Sequence, residues 1–281
     1  MVGKFRARIQ SMAANWASYD SAAECHDRLA GPSFFEQPAR DLVAAMDVGS
    51  AASILDIGTG SGLAALRAAR IADPHTMVVG IDPSVEMLRI ARSHGVRQVV
   101  AGVASQLPFG DCVFDVAVAS FVLSHLSSYE SGLTEIARVL KPAGRLGATT
   151  WGSIQNEYRE IWQSLAESFI DKAKLTEASR EALPWEEWFT NPENLDRAFR
   201  GAGLTEVRVQ RTEYTIHTNI ADFLAIREAS LQARFMRQNL DAAQWERFRE
   251  TAAAEFYRQF RDPIDHTRDV YIAVGTRPSA S

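Results

Sequence analysis

The sequence predicts an α/β fold, a doubly wound and mostly parallel sheet of seven strands with helical lid insertions. Three observations predict it. Between residues 53 and 150, short apolar runs alternate with helical stretches in the βαβ rhythm. The runs Ile54–Ile57, Met77–Ile81 and Val113–Ala119 are apolar at almost every position, as strands are when helices cover both faces of a parallel sheet. The first run passes directly into Gly58-Thr59-Gly60-Ser61-Gly62, a glycine turn of the kind that lets a backbone approach a ligand closely.

The elements follow in chain order. Residues 1–50 read as helices forming an N-terminal helical lid, ahead of one α/β domain over residues 51–281. Ala22–Leu29 is helix-friendly and is expected to stop at the breaker pair Gly31-Pro32. Phe34, Ala39, Leu42, Val43 and Met46 then recur at helical spacing. Strand Ile54–Ile57 leads to a helix near Leu63–Ile71, strand Met77–Ile81 to a helix near Val85–Ser93, and strand Gln98–Val100 follows. Strand Val113–Ala119, a helix near Gly132–Leu140 and strand Arg145–Thr150 complete the regular part. Helical insertions are expected near 152–200 and 220–262. The first would end in a helix Pro192–Arg200, closed by Gly201 and Gly203. Leu204–Ile216 and Val270–Gly275 read as the last strands.

Composition bounds the function. The 281 residues are 46% apolar, enough for a full core. A net charge of −5 and the lack of a basic stripe argue against nucleic acid as a partner. Arginines crowd the C-terminal third (Arg227, Arg234, Arg237, Arg247, Arg249), but acids interleave with them, the pattern of a solvated helix face. Cys25 and Cys112 lie far apart and no Cys/His ligand spacing occurs, so no metal site is expected. The run Val113–Leu123 contains Asp115 and is too short to span a bilayer. No apolar segment follows the basic Met1–Gln10 stretch, which leaves a reducing cytoplasm as the expected location.

The glycine spacing is G-x-G-x-G. A dinucleotide fingerprint would need its third glycine where Leu63 stands, so a nicotinamide-dependent oxidoreductase is disfavoured. Asp56, inside the strand, would orient the loop or meet an ammonium group. Asp82 ends the second strand, where an acid can hold ribose hydroxyls; ahead of Pro83 and Ser84 it can equally cap the next helix. His125 follows the fourth strand and is the candidate general base, or else a structural histidine. Tyr214 and His217 are weaker candidates, and His266 reads as a surface residue. Trp16, Tyr19, Phe34, Phe35, Trp151, Tyr158, Trp162, Trp185, Trp188 and Phe223 sit in segments that should cover the carboxyl edge of the sheet, an apolar setting for a small acceptor. Phe256, Tyr257 and Phe260 read as helix packing.

Taken together, these segments resemble the class I S-adenosylmethionine-dependent methyltransferases with a Rossmann-like sheet, in the branch of ubiquinone- and menaquinone-biosynthesis enzymes. The resemblance rests on Trp16-x-x-Tyr19-Asp20, Leu55-Asp56-Ile57-Gly58-Thr59-Gly60-Ser61-Gly62 and Gly80-Ile81-Asp82-Pro83-Ser84-x-x-Met87-Leu88. It continues in Leu107-Pro108-Phe109-x-Asp111-x-x-Phe114-Asp115, His125 and Arg138-Val139-Leu140-Lys141-Pro142-x-Gly144. The resemblance implies S-adenosyl-L-methionine as cofactor and S-adenosyl-L-homocysteine as product. It implies that Gly58, Gly60 and Gly62 pass along the methionine part with Asp56 below, and that Asp82 and Pro83 border the ribose. Met87, Ala104 and Ser105 would lie by the adenine, Ser120 by the methionine group, His125 near the methyl end, and Tyr19 over the cofactor carboxylate. One departure is Gly102-Val103-Ala104, where the family often has an acid in the middle. Valine cannot bond an adenine amino group, which keeps open a relative that binds the cofactor but catalyses cyclisation or isomerisation. The expected partner is a small-molecule acceptor, and the aromatic N-terminal helices would suit a homodimer.

Overall fold

The computed structural model describes residues 16–279. The expectations for residues 1–15, including the start of the N-terminal lid, lie outside the described residues.

Seven strands form one sheet: β1 (Ser53–Ile57), β2 (Met77–Asp82), β3 (Gln98–Ala101), β4 (Phe114–Ser120), β5 (Leu140–Trp151), β6 (Thr205–Thr218) and β7 (Ile264–Thr276). Their order is β3-β2-β1-β4-β5-β7-β6. The first five pair in parallel, and β7 runs antiparallel between β5 and β6. The order reverses between β1 and β4, which pair through Ile54 and Val116. Doubly wound sheets open a ligand crevice at such a switch point, outside the carboxyl ends of the strands.

Every residue of β1 is buried. Leu55 and Ile57 pack into one apolar layer with Ile136, Val139, Leu195 and Phe199 from the helices Tyr129–Val139 and Pro192–Gly201. Ile54 enters the opposite layer with Leu42, Met46, Ala64 and Ala68 from the helices Glu36–Ala45 and Leu63–Ile71. The apolar runs of the sequence are therefore strands covered on both faces. Helix starts follow local chemistry: Ser84 accepts from the Met87 N–H to cap Val85–Ser93, and Asp241 with Gln244 forms a capping box on Ala242–Gln259.

Three expectations require correction. The chain does not stop at Gly31-Pro32. It continues as a wide π-type helix, His26–Phe35, directly into Glu36–Ala45. The wider turn pairs the Glu36 N–H with the Gly31 carbonyl, a five-residue step, and so accommodates a proline that would obstruct an α-helical turn. The last two strands are also longer than expected. The first half of β7, Ile264-Asp265-His266-Thr267-Arg268-Asp269, is too polar to read as a strand, yet Ile264, His266 and Arg268 are buried on one side of it. Phe256 packs in a core as expected, but Tyr257 is exposed.

The extended ends of β6 and β7 carry a third apolar core. It is built by helices Glu157–Phe169, Lys172–Ala182, Ile220–Glu228, Leu231–Asn239 and Ala242–Gln259 around Trp162, Phe223 and Phe248. Among the described residues, no helix is long and apolar enough to cross a membrane. Both cysteines are free thiols.

A testable consequence lies at Gly147 in β5. A Cβ there would come within 2.3 Å of Met46 Sδ and 2.9 Å of Leu42 Cδ1. Gly147→Val is expected to cost about 1–3 kcal/mol by overpacking. Gly49→Ala, with nothing within 4 Å, should stay within about 0.5 kcal/mol of the parent in urea denaturation.

Candidate functional site

The glycine turn uses left-handed backbone that glycine adopts freely, and its neighbours fix it in place. Gly58, Gly60 and Gly62 have φ of +61°, +52° and +94°. A Cβ on Gly58 would meet Val122 at 2.4 Å and one on Gly62 would meet Val96 at 2.7 Å, whereas beside Gly60 nothing lies within 4 Å. The turn is thus packed on its flanks and open in the middle. Hydrogen bonds tie it to the tip of β2: Thr59 N–H donates to the Ile81 carbonyl at 3.0 Å, and Gly60 N–H donates to the Asp82 carboxylate at 2.9 Å.

Two buried acids organise the turn. Asp56 accepts from the Thr59 hydroxyl at 2.7 Å and the Ala65 N–H at 2.9 Å, both on the same oxygen. Burial pushes its carboxyl up to about 7, against the lowering effect of these two bonds. It orients the loop, one of the two roles expected of it. Asp82 accepts from Gly60 and Ser84 backbone N–H groups, and burial raises it to about 6. The Ser84 hydroxyl in turn donates to Asp20 at 2.6 Å, docking the N-terminal segment onto the β2 tip.

The remaining expected residues fall around this edge. Met87 is buried with Ala23 and Ile90, and Tyr19 packs on them. Ala104 is buried and Ser105 exposed in a tight turn closed by a bridge between Val103 and Gln106. Gly102 has no room for a side chain, since a Cβ would lie 2.7 Å from Ile81 Cδ1. Pro83 is exposed beside Asp82. Ser120 Oγ sits 3.2 Å from Thr149 Oγ1, and the next residue, Phe121, adopts φ of +57°. A left-handed aromatic residue at a strand's carboxyl end is unusual and marks a constrained edge.

His125 ends a short turn, Leu123–His125, with its ring 5.6 Å from that of Tyr19. Tyr19 also meets His26 at 5.9 Å and lies under the Arg234 guanidinium at 4.9 Å. His125 is exposed at the surface, and the protein around it, then the charges of Arg234 and His26, hold its imidazole down to about 4. It is neutral at physiological pH. Burial pushes the Tyr19 hydroxyl up to about 12.

His217, Tyr214 and His266 fall elsewhere in the fold. His217 is exposed and bonds Asp265 at 2.7 Å, and Tyr214 donates to Asp41 at 2.9 Å beneath the sheet. Neither lines the aromatic cavity described next. His266, expected at the surface, is instead buried in the wall of a cavity of about 300 Å³. Trp16, Tyr19, Phe34, Phe35, Trp151 and Phe223 line this cavity as expected. Trp162 is buried in the helical core, while Trp185 and Trp188 pack against Tyr129.

The same cavity holds Arg159, Arg268 and Glu186, which no sequence pattern marks, and Arg227. Arg227 had been grouped with a solvated face. Its position was readable, because Ile220, Phe223, Leu224 and Arg227 follow the i, i+3, i+4, i+7 spacing of the buried side. Burial, then the charge of Arg159, brings Arg227 and Arg268 down to about 9, so both remain charged at neutral pH.

Comparison with known proteins bears on this geometry. Residues 55–148 match the model of a methyltransferase domain. The demethylmenaquinone methyltransferase of Streptomyces avermitilis is 31% identical over 179 residues, covering 60% of this chain and 74% of that one. Among solved structures, the putative methyltransferase of Haloferax volcanii superposes with a TM-score of 0.53 at 23% identity, over 94% of this chain and 97% of its own. The [4+2]-cyclase SpnF superposes with a TM-score of 0.50 at 21% identity, over 87% and 82%. These two likenesses concern the fold.

The acid behind the glycine turn gives a pH prediction. The folded pKa of Asp56 lies above its unfolded value of 3.8, so its contribution is present below about pH 4 and is lost as pH rises through 7. Asn at this position keeps the oxygen that accepts both bonds and removes the charge. The stability of Asp56→Asn relative to the parent is therefore expected to improve by a few kcal/mol between pH 4 and 8 in urea titrations; a constant difference across that range refutes the assignment.

Proposed function

Because the chain belongs to the class I S-adenosylmethionine-dependent methyltransferases, we propose that it transfers the methyl group of S-adenosyl-L-methionine to an oxygen, nitrogen or carbon of a small metabolite with an aromatic or apolar body. The observation that carries this reading is the hydrogen bond from Gly60 N–H to the Asp82 carboxylate. It sets an open glycine turn against an acid that retains lone pairs, the two features a methionine-bearing nucleoside requires on adjacent strands. The fit is supported by the empty space beside Gly60 and by the buried Ser61 hydroxyl, which lacks a hydrogen-bond partner.

In this reading Gly58, Gly60 and Gly62 border the methionine part, with Asp56 holding the turn from below. Asp82 and Pro83 border the ribose. Met87, Ala104 and Ser105 border the adenine, and with Val103 in place of an acid the adenine edge is met by backbone and Ser105. Ser120 and Tyr19 close the methionine end. When bound, the cofactor supplies an electrophilic methyl group. The protein's part is to orient the acceptor and exclude water, and proximity of this kind is worth about 7–11 kcal/mol.

The segment 16–50 and the helices near 152–200 and 220–262 act as a lid. Arg234 joins two of these pieces, donating to the Trp16 carbonyl at 2.8 Å while covering Tyr19. His125 serves as a neutral wall at the methyl end rather than a base, since an imidazole held near 4 gains little from taking a proton at pH 7. A second reading, a non-methylating relative, draws on Val103 and on the fold shared with SpnF.

Calorimetric titration with S-adenosylhomocysteine is expected to give micromolar binding that Asp82→Ala abolishes, with NAD inert; absence of nucleoside binding overturns the assignment. Labelled methyl transfer across an acceptor panel separates the two readings. His125→Asn should lower kcat/KM by less than about tenfold and leave the pH profile between about 5 and 9 unchanged in shape. Loss of an ionisation in that profile would instead make His125 the base.

A further inference from the structure

The acceptor cavity contains more positive charge than the protein neutralises. Arg159 from helix Glu157–Phe169, Arg227 from helix Ile220–Glu228 and Arg268 from β7 converge on its wall from three separate elements. Burial lowers all three, and the charge of Arg159 lowers Arg227 and Arg268 further. Among the described residues, no carboxylate lies within ion-pair distance of any of them, although Glu186 lines the same cavity. The Nε atoms of Arg227 and Arg268 are buried without a hydrogen-bond partner, as is Nδ1 of the neighbouring His266. Arg268 is only 8% exposed, and its guanidinium lies 4.1 Å over the Trp151 ring.

Aromatic stacking eases the desolvation of a guanidinium but leaves its charge in place. Buried donors without acceptors are costly, and three like charges behind one carboxylate add repulsion to that cost. A fold retains such a group where something absent from the chain completes it. We infer that the cavity binds an acceptor carrying an oxyanion, a carboxylate or a phosphate, seated on Arg159, Arg227 and Arg268, with its aromatic body against Phe34, Phe35 and Trp151. This inference deepens the proposed methyl transfer and rests on it for the word acceptor; the anion site itself rests on the arginines alone.

The chemistry suits the geometry. A planar guanidinium meets a carboxylate or phosphate through paired N–H donors, and bonds of this kind are roughly twice as strong as neutral ones. The fixed charge would orient the acceptor. One end is held at β7 and the helical core, and the other points toward Tyr19, which lies beside His125. The arginines are thus specificity-determining residues: they select acceptors that carry an anion.

The test uses 2-naphthoate, 2-naphthyl phosphate and neutral 2-naphthamide as matched probes, titrated calorimetrically into the full-length protein at constant ionic strength. Each titration is run with and without S-adenosylhomocysteine. One of the two anions is expected to bind about tenfold or more tightly than the amide, and which one identifies the oxyanion class. Arg227→Gln and Arg268→Gln should each reduce that preference to within about twofold, while Arg258→Gln on the exposed face of helix Ala242–Gln259 leaves it intact. Equal binding of amide and anions overturns the inference, as does a preference that survives both substitutions. A thermal melt adds an independent arm. With an uncompensated charge removed, Arg227→Met should melt at or above the parent temperature, and a large fall would show that Arg227 completes the fold rather than a ligand site. Anion preference without nucleoside binding would leave this site standing and remove methyl transfer.

Discussion

The hydrogen bond between Gly60 N–H and Asp82 is the constraint on which the working edge of the sheet depends. It joins the turn after β1 to the tip of β2, and Asp82 could not reach the turn unless Gly80 allowed Thr59 to lie on β2. A Cβ on Gly80 would stand 2.8 Å from Thr59 Oγ1. Thr59 in turn donates to Asp56, so the acid below the loop, the hydroxyl within it and the acid beside it form one connected unit. Both carboxyls are buried and both are raised toward neutrality, a tension that the backbone N–H donors relieve only in part. Such a unit is costly to build and well ordered once built, as pre-organised ligand sites must be.

The second half of the site obeys a different logic. β6 and β7 run on past the rest of the sheet, and the overhang anchors five helices around Trp162 and Phe248. Arg268 and His266 belong to that overhang. Their side chains occupy the buried positions of an otherwise ordinary alternating strand, where apolar residues would be expected if packing were the sole demand. Asp269, fully buried next to them, is engaged elsewhere: it accepts from the Ile154 N–H and from Arg211 at 2.8 Å. The acid nearest in sequence to Arg268 is thereby directed away from the cavity, and the arginines keep their charge facing inward.

Much of the regular sheet was legible in the sequence because its strands are covered on both faces. Ile54–Ile57 and Val113–Ala119 are apolar at all but one position each, and glycines mark the turn after β1, where three residues have positive φ. The edge proposed for the cofactor is built from a short contiguous motif after β1 and at the tip of β2, so its residues could be named from the sequence. The aromatic cavity was legible only in part. Its aromatic residues and Arg227 carry local signals, but Arg159, Glu186 and Arg268 come from distant positions and are brought together only by the fold. Pro32 shows a further limit: a breaker in the sequence became a wide helical turn because the helices on either side were held in place by Leu42, Val43 and the Asp20–Ser84 contact.

The charge of the cavity and the hydrophobicity of its walls are two parts of one arrangement. An aromatic pocket alone would take up flat apolar molecules with little discrimination, because a methylene or ring contact distinguishes ligands by only about 1–3 kcal/mol. Cations placed in that same dry setting, stacked on Trp151 and Trp162, penalise any occupant that leaves them unpaired. Selectivity then arises from what is left unsatisfied in the free protein as much as from contacts made in the complex. The same property accounts for the position of the arginines among three separate elements: a local cluster would repel itself apart, whereas a strand and two helices fixed by a shared apolar core can keep the guanidinium groups together.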